Sequence, residues 1–242
     1  MEAQAWKKGG CLTTLPSTLA GDNWECRKAF IQAPWTEPPR VYIDNRDTAR
    51  TTHDRIWFQL DEPLRLYTDG SGYQGGIGAA VCWGTESRLY HMGTEEMATV
   101  YAAELRAIEM ALEVIKETFL DDQQRHRLAN GAAIFTDNQA ALRAIQNPRM
   151  PSGQTYLEGS IQLLQWYADK GIQVELRWIP AHEGILGNEN ADMLAKEAAT
   201  TAEASIQQTS TDYNRYIRLA AAAKRGIRQN TKIVWERSWS KT

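Results

Sequence analysis

Cysteine is scarce in this sequence and unhelpfully placed for chemistry: Cys11, Cys26 and Cys82 are odd in number and have no spacing that suits a zinc site. That pattern excludes a disulfide scaffold and leads us to expect reduced thiols in an intracellular protein. Long apolar runs are missing as well. No stretch approaches a membrane span, and Lys7 and Lys8 are followed by Gly9 and Gly10 without an apolar segment. The expectation is therefore a chain with neither signal peptide nor anchor, in nucleus or cytoplasm and not secreted. Net charge is small too, at -3, but it is unevenly spread. Residues 201–242 carry eight Lys or Arg against three acids, leaving an acidic body with a basic tail. Such a division is compatible with a metal site in the body and phosphate contacts by the tail.

What the chain does have is a core. Apolar residues make up 43% of its 242 residues and include nine Trp, which excludes a disordered chain and allows one large domain with appendages. The densest stretch is Leu64 to Gly76. Leu64, Leu66 and Thr68 alternate with Arg65, Tyr67 and Asp69, the period of a strand buried on one face, and Gly70, Ser71 and Gly72 are expected to break it. Asp69 then sits at the carboxyl end of a strand, where open α/β sheets face ligand and glycines admit close backbone approach. Taken alone, the stretch reads equally well as a hairpin turn with an Asp chosen for turn chemistry.

Later segments add carboxylates that could meet Asp69. Strands at 77–83 and 88–92 complete a meander, and a helix over 97–119 follows, with Tyr101, Leu105, Ile108, Leu112 and Ile115 as its buried stripe. Glu104 lies beside that stripe and points toward the sheet, which is costly for an acid unless it is paired or bound to a cation. A strand at 132–135 ends in Thr136-Asp137, repeating Thr68-Asp69, so two parallel strands would make the two acids neighbours. Helices at 138–146 and 155–170, a fifth strand at 172–179 and a helix at 188–200 complete the pattern. In the last helix Asn188, Asp192, Ala195 and Ala199 share a face whose small side chains imply close packing on the sheet.

Four segments, YTDGSG, TVYAAELRAI, FTDNQAAL and WIPAHEGILGNENADMLA, follow one family's order. Over roughly residues 62–200 the chain resembles type 1 ribonuclease H, of the kind fused to reverse transcriptases in non-LTR retrotransposons. The resemblance implies an α/β fold with a five-stranded mixed sheet flanked by helices. It also implies a metal-binding quartet of Asp69, Glu104, Asp137 and Asp192, two Mg2+ ions with Mn2+ as a substitute, and hydrolysis of the RNA strand of RNA/DNA hybrids. Hard divalent cations prefer oxygen ligands, and pairs of them suit phosphodiester displacement. By the same resemblance His182 occupies a mobile loop and assists proton transfer or product release, Asn188 lies near the scissile phosphate, and Ser71, Asn138 and Gln139 touch the hybrid. Val100 and Tyr101 stand where the family often has Asn before the helix Glu, and Ala181 replaces a common Gly. The stretch 147–159, which matches a basic protrusion in cellular enzymes, has only Arg149 as a base.

The expected organisation is an irregular Pro-containing lead-in over 1–61, a catalytic domain over 62–200 and a basic helical tail over 201–242. Glu183, Glu189, His53, His91 and His126 read as surface residues, and Trp166, Trp178, Trp235 and Trp239 as core or tail packing. If the tail is helical over 213–234, Arg218, Arg225, Arg228 and Lys232 fall on one side, and Tyr216, Ala223, Ile227 and Val234 on the other. The expected partners are an RNA/DNA hybrid and a reverse transcriptase domain of a longer polyprotein, with the chain itself monomeric and no membrane contact. A catalytically inactive nucleic-acid-binding module of the same fold is the alternative. An integrase-like strand transferase would need a different carboxylate order and no AHEGILGNENAD loop.

Overall fold

The structure, a computed structural model, describes residues 23–26, 28, 30–32, 36–57, 63–148, 152–201 and 216–239. Strands β2 (Leu64–Tyr73), β3 (Gly76–Trp83) and β4 (Glu86–Thr94) form an antiparallel meander. Next come helix α2 (Val100–Leu120), strand β5 (Ala132–Thr136), helices α3 (Gln139–Gln146) and α4 (Gln154–Asp169), strand β6 (Val174–Trp178) and helix α5 (Leu186–Thr200). Upstream lie a two-residue strand β1 (Val41–Tyr42) and helix α1 (Arg46–Trp57), and downstream helix α6 (Ala220–Trp239). The sheet order is β1-β6-β5-β2-β3-β4, so the mixed sheet has six strands and not five.

The sixth strand comes from the lead-in, which is not irregular throughout. Val41 and Tyr42 pair in parallel with Leu176 and Arg177, and Arg177 stacks over the Tyr42 ring at 4.1 Å. Helix α1 escaped the sequence pattern because its inward positions are Ala49, His53 and Ile56. A histidine holds the middle of the stripe, and it is buried, not on the surface: His53 Nε2 lies 2.8 Å from the Tyr67 hydroxyl, with the ring edge-on to Phe135. His91 is likewise engaged, its Nδ1 2.9 Å from the Ala198 carbonyl. Trp166 and Trp178 pack against the core as expected, whereas Trp235 and Trp239 are exposed. Cys82 is a free buried thiol, but Cys26 is disulfide-bonded, which corrects the expectation of reduced thiols throughout.

Two helices press on opposite faces of β2 and β3, and glycine makes both contacts possible. On one face Gly70 lies against α2: a Cβ there would overlap the Glu104 nitrogen and sit 2.6 Å from the Ala103 carbonyl carbon. On the other, a Cβ at Gly78 would collide with the backbone of Ala195 and Ala199 in α5. The glycines after Asp69 therefore do not end the strand. It runs on to Tyr73, and the chain turns at Gln74 and Gly75, both with positive φ. The main core fills the α2 side with Leu66, Leu105, Ile108, Leu112, Ile115 and Ile134, all at zero exposure. A smaller cluster of Tyr67, Phe135, Ile179, Ile185 and Ala191 lies on the α5 side.

Candidate active site

Three elements converge where the parallel pairing of β2 and β5 stops. That pairing runs from Leu64↔Ala132 to Thr68↔Thr136, so Asp69 and Asp137 both follow the last matched pair. Thr68 Oγ1 donates to the Phe135 carbonyl across the two strand ends, and the Asn138 N–H donates to Thr136 Oγ1, closing the turn that leaves β5. Trp178 Nε1 donates to the Asp137 carbonyl at 2.9 Å from the next strand. Glu104 enters from the second turn of α2, whose first turn is capped by Thr99 and which can come this close only because residue 70 has no side chain.

As a result Asp69, Glu104 and Asp137 each offer an oxygen within a sphere of mutual distances no greater than 4.8 Å. Asp69 is 7% exposed and Glu104 5%. Burial, and then the charges of Asp137 and Asp192, push the Asp69 carboxyl up from its usual range to about 7. Glu104 is raised well above its ordinary value by burial first and by Asp69 and Asp137 next, with the Asn138 side chain and the Gly70 N–H opposing. Its Oε2 is buried without a hydrogen-bond partner among the described residues, as is Oδ1 of Asn188. Buried acids that repel one another around orphaned oxygens are the donor set a hard cation completes, so these residues fit a divalent metal ion.

The remaining residues singled out in the sequence fall into distinct places. Asp192 is outside the group of three: Lys196, one turn on, donates to its Oδ2 at 2.6 Å, although its charge still raises Asp69. Asn188 is buried on the same helix, its Nδ2 donating to Asp137 Oδ2 at 3.2 Å. Asn138 caps α3 by accepting from the Ala141 N–H, and Gln139 Oε1 accepts from Arg143. Ser71 is half-buried on the Asp69 side of β2, paired with Gly78. His182 is exposed in the turn between β6 and α5, with φ at +55°.

Glu183, read from sequence as solvated, is instead the anchor of that turn. Arg46 bonds its carboxylate, and Arg50 Nη1 donates to its carbonyl while lying 3.5 Å from its other oxygen. Helix α1 thus grips the loop that carries His182, and no local motif announced it, because bases and acid are more than 130 residues apart. Trp178 was also missed as a support for Asp137. The only trace in sequence was a Trp at the end of the strand alternation.

The RNase H family model matches residues 61–200, and the chain belongs to that family. Two Pol polyproteins of equine infectious anemia virus, strain Wyoming and isolate 1369, are each 30% identical to it over 196 residues, covering 78% of this chain. The match takes in only 15% of those relatives' length. Among solved structures, LC11-RNase H1 isolated from compost is 21% identical with a TM-score of 0.44, over 58% of this chain and 97% of that one. A foamy viral protease-reverse transcriptase in complex with dsDNA is 18% identical with a TM-score of 0.44, over 60% of this chain and 99% of that one. Among the described residues no helix is long and apolar enough to cross a membrane.

The raised carboxyls have a consequence for stability. A folded-state value near 7 against 3.8 means Asp69 binds its proton more tightly when folded, so its stabilising contribution is complete below about pH 4 and is lost as pH rises toward 7. Half-buried Glu109, also pushed up to about 7 by desolvation, acts with the same sign elsewhere. The melting temperature in chelator should therefore fall between pH 5 and 7.5, and Asp69→Asn should flatten part of that fall. Parallel pH curves for parent and Asp69→Asn would count against the buried repulsion.

Proposed function

We propose that this chain is a metal-dependent endonuclease that hydrolyses the RNA strand of RNA/DNA hybrids, a ribonuclease H module of a longer reverse transcriptase polyprotein of retroelement origin. The observation that carries the reading is the convergence of Asp69, Glu104 and Asp137, two of them buried, with Glu104 Oε2 left without a partner among the described residues. Those three, with Asp192 joining when Lys196 gives way, would hold two Mg2+ ions, or Mn2+ in their place. When bound, such ions supply positive charge at the phosphate and an activated water.

The chain's own residues would do the rest. Asn188 would orient Asp137 through its amide, and its own carbonyl oxygen is buried without a partner among the described residues. Ser71, Asn138 and Gln139 line the approach to the hybrid, where 2′-hydroxyls and groove shape distinguish RNA from DNA. His182, exposed in a turn held by Arg46 and Arg50, would take or return a proton at the scissile group. The working organisation is a lead-in over 1–61, a catalytic domain over 62–200 and a basic tail over 201–242, acting as a monomer inside the cell.

Incubating the full chain with labelled hybrid, double-stranded RNA and double-stranded DNA, with Mg2+ or with chelator, tests the reading. Cleavage of the RNA strand of the hybrid alone, and only with metal, is the expected result. Binding without cleavage under any metal would favour an inactive binding module. For His182→Ala the expected loss of rate is about 10- to 100-fold, because water can partly replace a proton shuttle. Calorimetric Mg2+ binding should survive that change, and its disappearance would make His182 a ligand instead.

A further inference from the structure

Among the described residues, helix α6 meets the body at its root. Leu219 is fully buried and its N–H donates to the Met97 carbonyl at 2.8 Å, Ala222 is buried, and Arg225 bonds the Glu95 carbonyl. From Ile227 through Trp239 every residue is exposed, over about 18 Å of helix. Its root lies against the turn between β4 and α2, the helix that carries Glu104. Tyr216 and Arg218, placed by the sequence pattern on the helix, precede it: Tyr216 meets the His91 ring and Arg218 bridges Trp24. The positions 213–215 lie outside the described residues.

The projecting part is basic on an otherwise acidic chain. Helix α6 holds Lys224, Arg225, Arg228, Lys232 and Arg237 against a single acid, Glu236, which lies 3.8 Å from Lys232. Helical spacing puts Arg228, Lys232, Trp235 and Trp239 along one face, and the two indoles sit 5.5 Å apart with Trp235 60% exposed. Cations followed along one face by an exposed indole match a strand of nucleic acid whose bases are unpaired, since phosphates neutralise the charges and a base can stack on the ring. A duplex offers the phosphates but hides the base faces.

We propose that α6 is an arm that binds the single-stranded nucleic acid running out of a hybrid held at the carboxylate site, with Arg228 and Lys232 on phosphates and Trp235 under a base. The proposal depends on the hybrid-cleaving reading only for the presence of nucleic acid. It is tested by fluorescence anisotropy with the full chain carrying Asp69→Asn, so that substrate is not consumed, using labelled hybrids that are blunt or extended by a single-stranded overhang. In that background Arg228→Glu with Lys232→Glu should weaken binding of the overhang hybrid about tenfold or more and flatten its dependence on salt. Trp235→Ala should weaken the overhang hybrid about fivefold or more and the blunt one less than twofold. Circular dichroism should show the same helix content in each variant, because every substituted residue is exposed. Unchanged affinity and salt slope in the charge variant, or equal losses on both hybrids for Trp235→Ala, would overturn the arm. If the Asp69→Asn chain itself bound neither hybrid, the hybrid-cleaving reading would fail as well.

Discussion

Asp69→Asn and Asp137→Asn should each reduce hybrid cleavage by roughly a thousandfold or more, with the fold intact. Each change keeps the side-chain volume and removes one charged oxygen from a group of three whose members lie within 4.8 Å. An amide cannot supply the negative charge that a hard divalent cation selects. Asp69 is the more telling of the two, because its carboxyl is pushed up to about 7 by burial and by the charges of Asp137 and Asp192. Removing its charge relieves that repulsion, so the variant without metal should melt higher than the parent at pH 7.5 while losing activity. This opposition of stability and activity separates a functional carboxylate from a structural one, whose loss would lower both. Cleavage within tenfold of the parent in either variant would sink the assignment.

The site was legible in sequence where it depended on periodicity. Alternation to Thr68-Asp69 and its repetition at Thr136-Asp137 specified two strand ends, and the structure lays those ends side by side. The stripe of α2 specified which way Glu104 had to face. The sequence pattern failed where a polar residue does an apolar residue's work or where partners are remote. Helix α1 buries His53 in the place of a leucine, and its grip on Glu183 is long-range and ionic. Lys196 lay in plain view four residues after Asp192, but nothing in the spacing decides whether that carboxylate serves the lysine or a cation. The pairing of Tyr42 with Arg177 likewise needed the fold before a two-residue strand could be seen.

Gly70→Ala should damage both fold and site with a single methyl. The added Cβ would overlap the Glu104 nitrogen and fall within 2.6 Å of the Ala103 carbonyl carbon. Backbone cannot rotate away as a side chain can, and Ala102, Ala103 and Leu105 around it have no exposure through which α2 could shift. Overpacking of this kind costs on the order of 1–3 kcal/mol and more when helix and sheet must separate. Gly75→Ala is the matching control: its φ is +81°, yet a Cβ there would meet nothing within 4 Å, so only conformational strain of about 1–2 kcal/mol is added. Urea unfolding should therefore rank Gly70→Ala well below Gly75→Ala in stability. Hybrid cleavage should separate them further, because moving α2 off β2 also withdraws Glu104 from Asp69 and Asp137. If Gly70→Ala unfolds no more easily than Gly75→Ala, the close approach of α2 to β2 is not what positions Glu104.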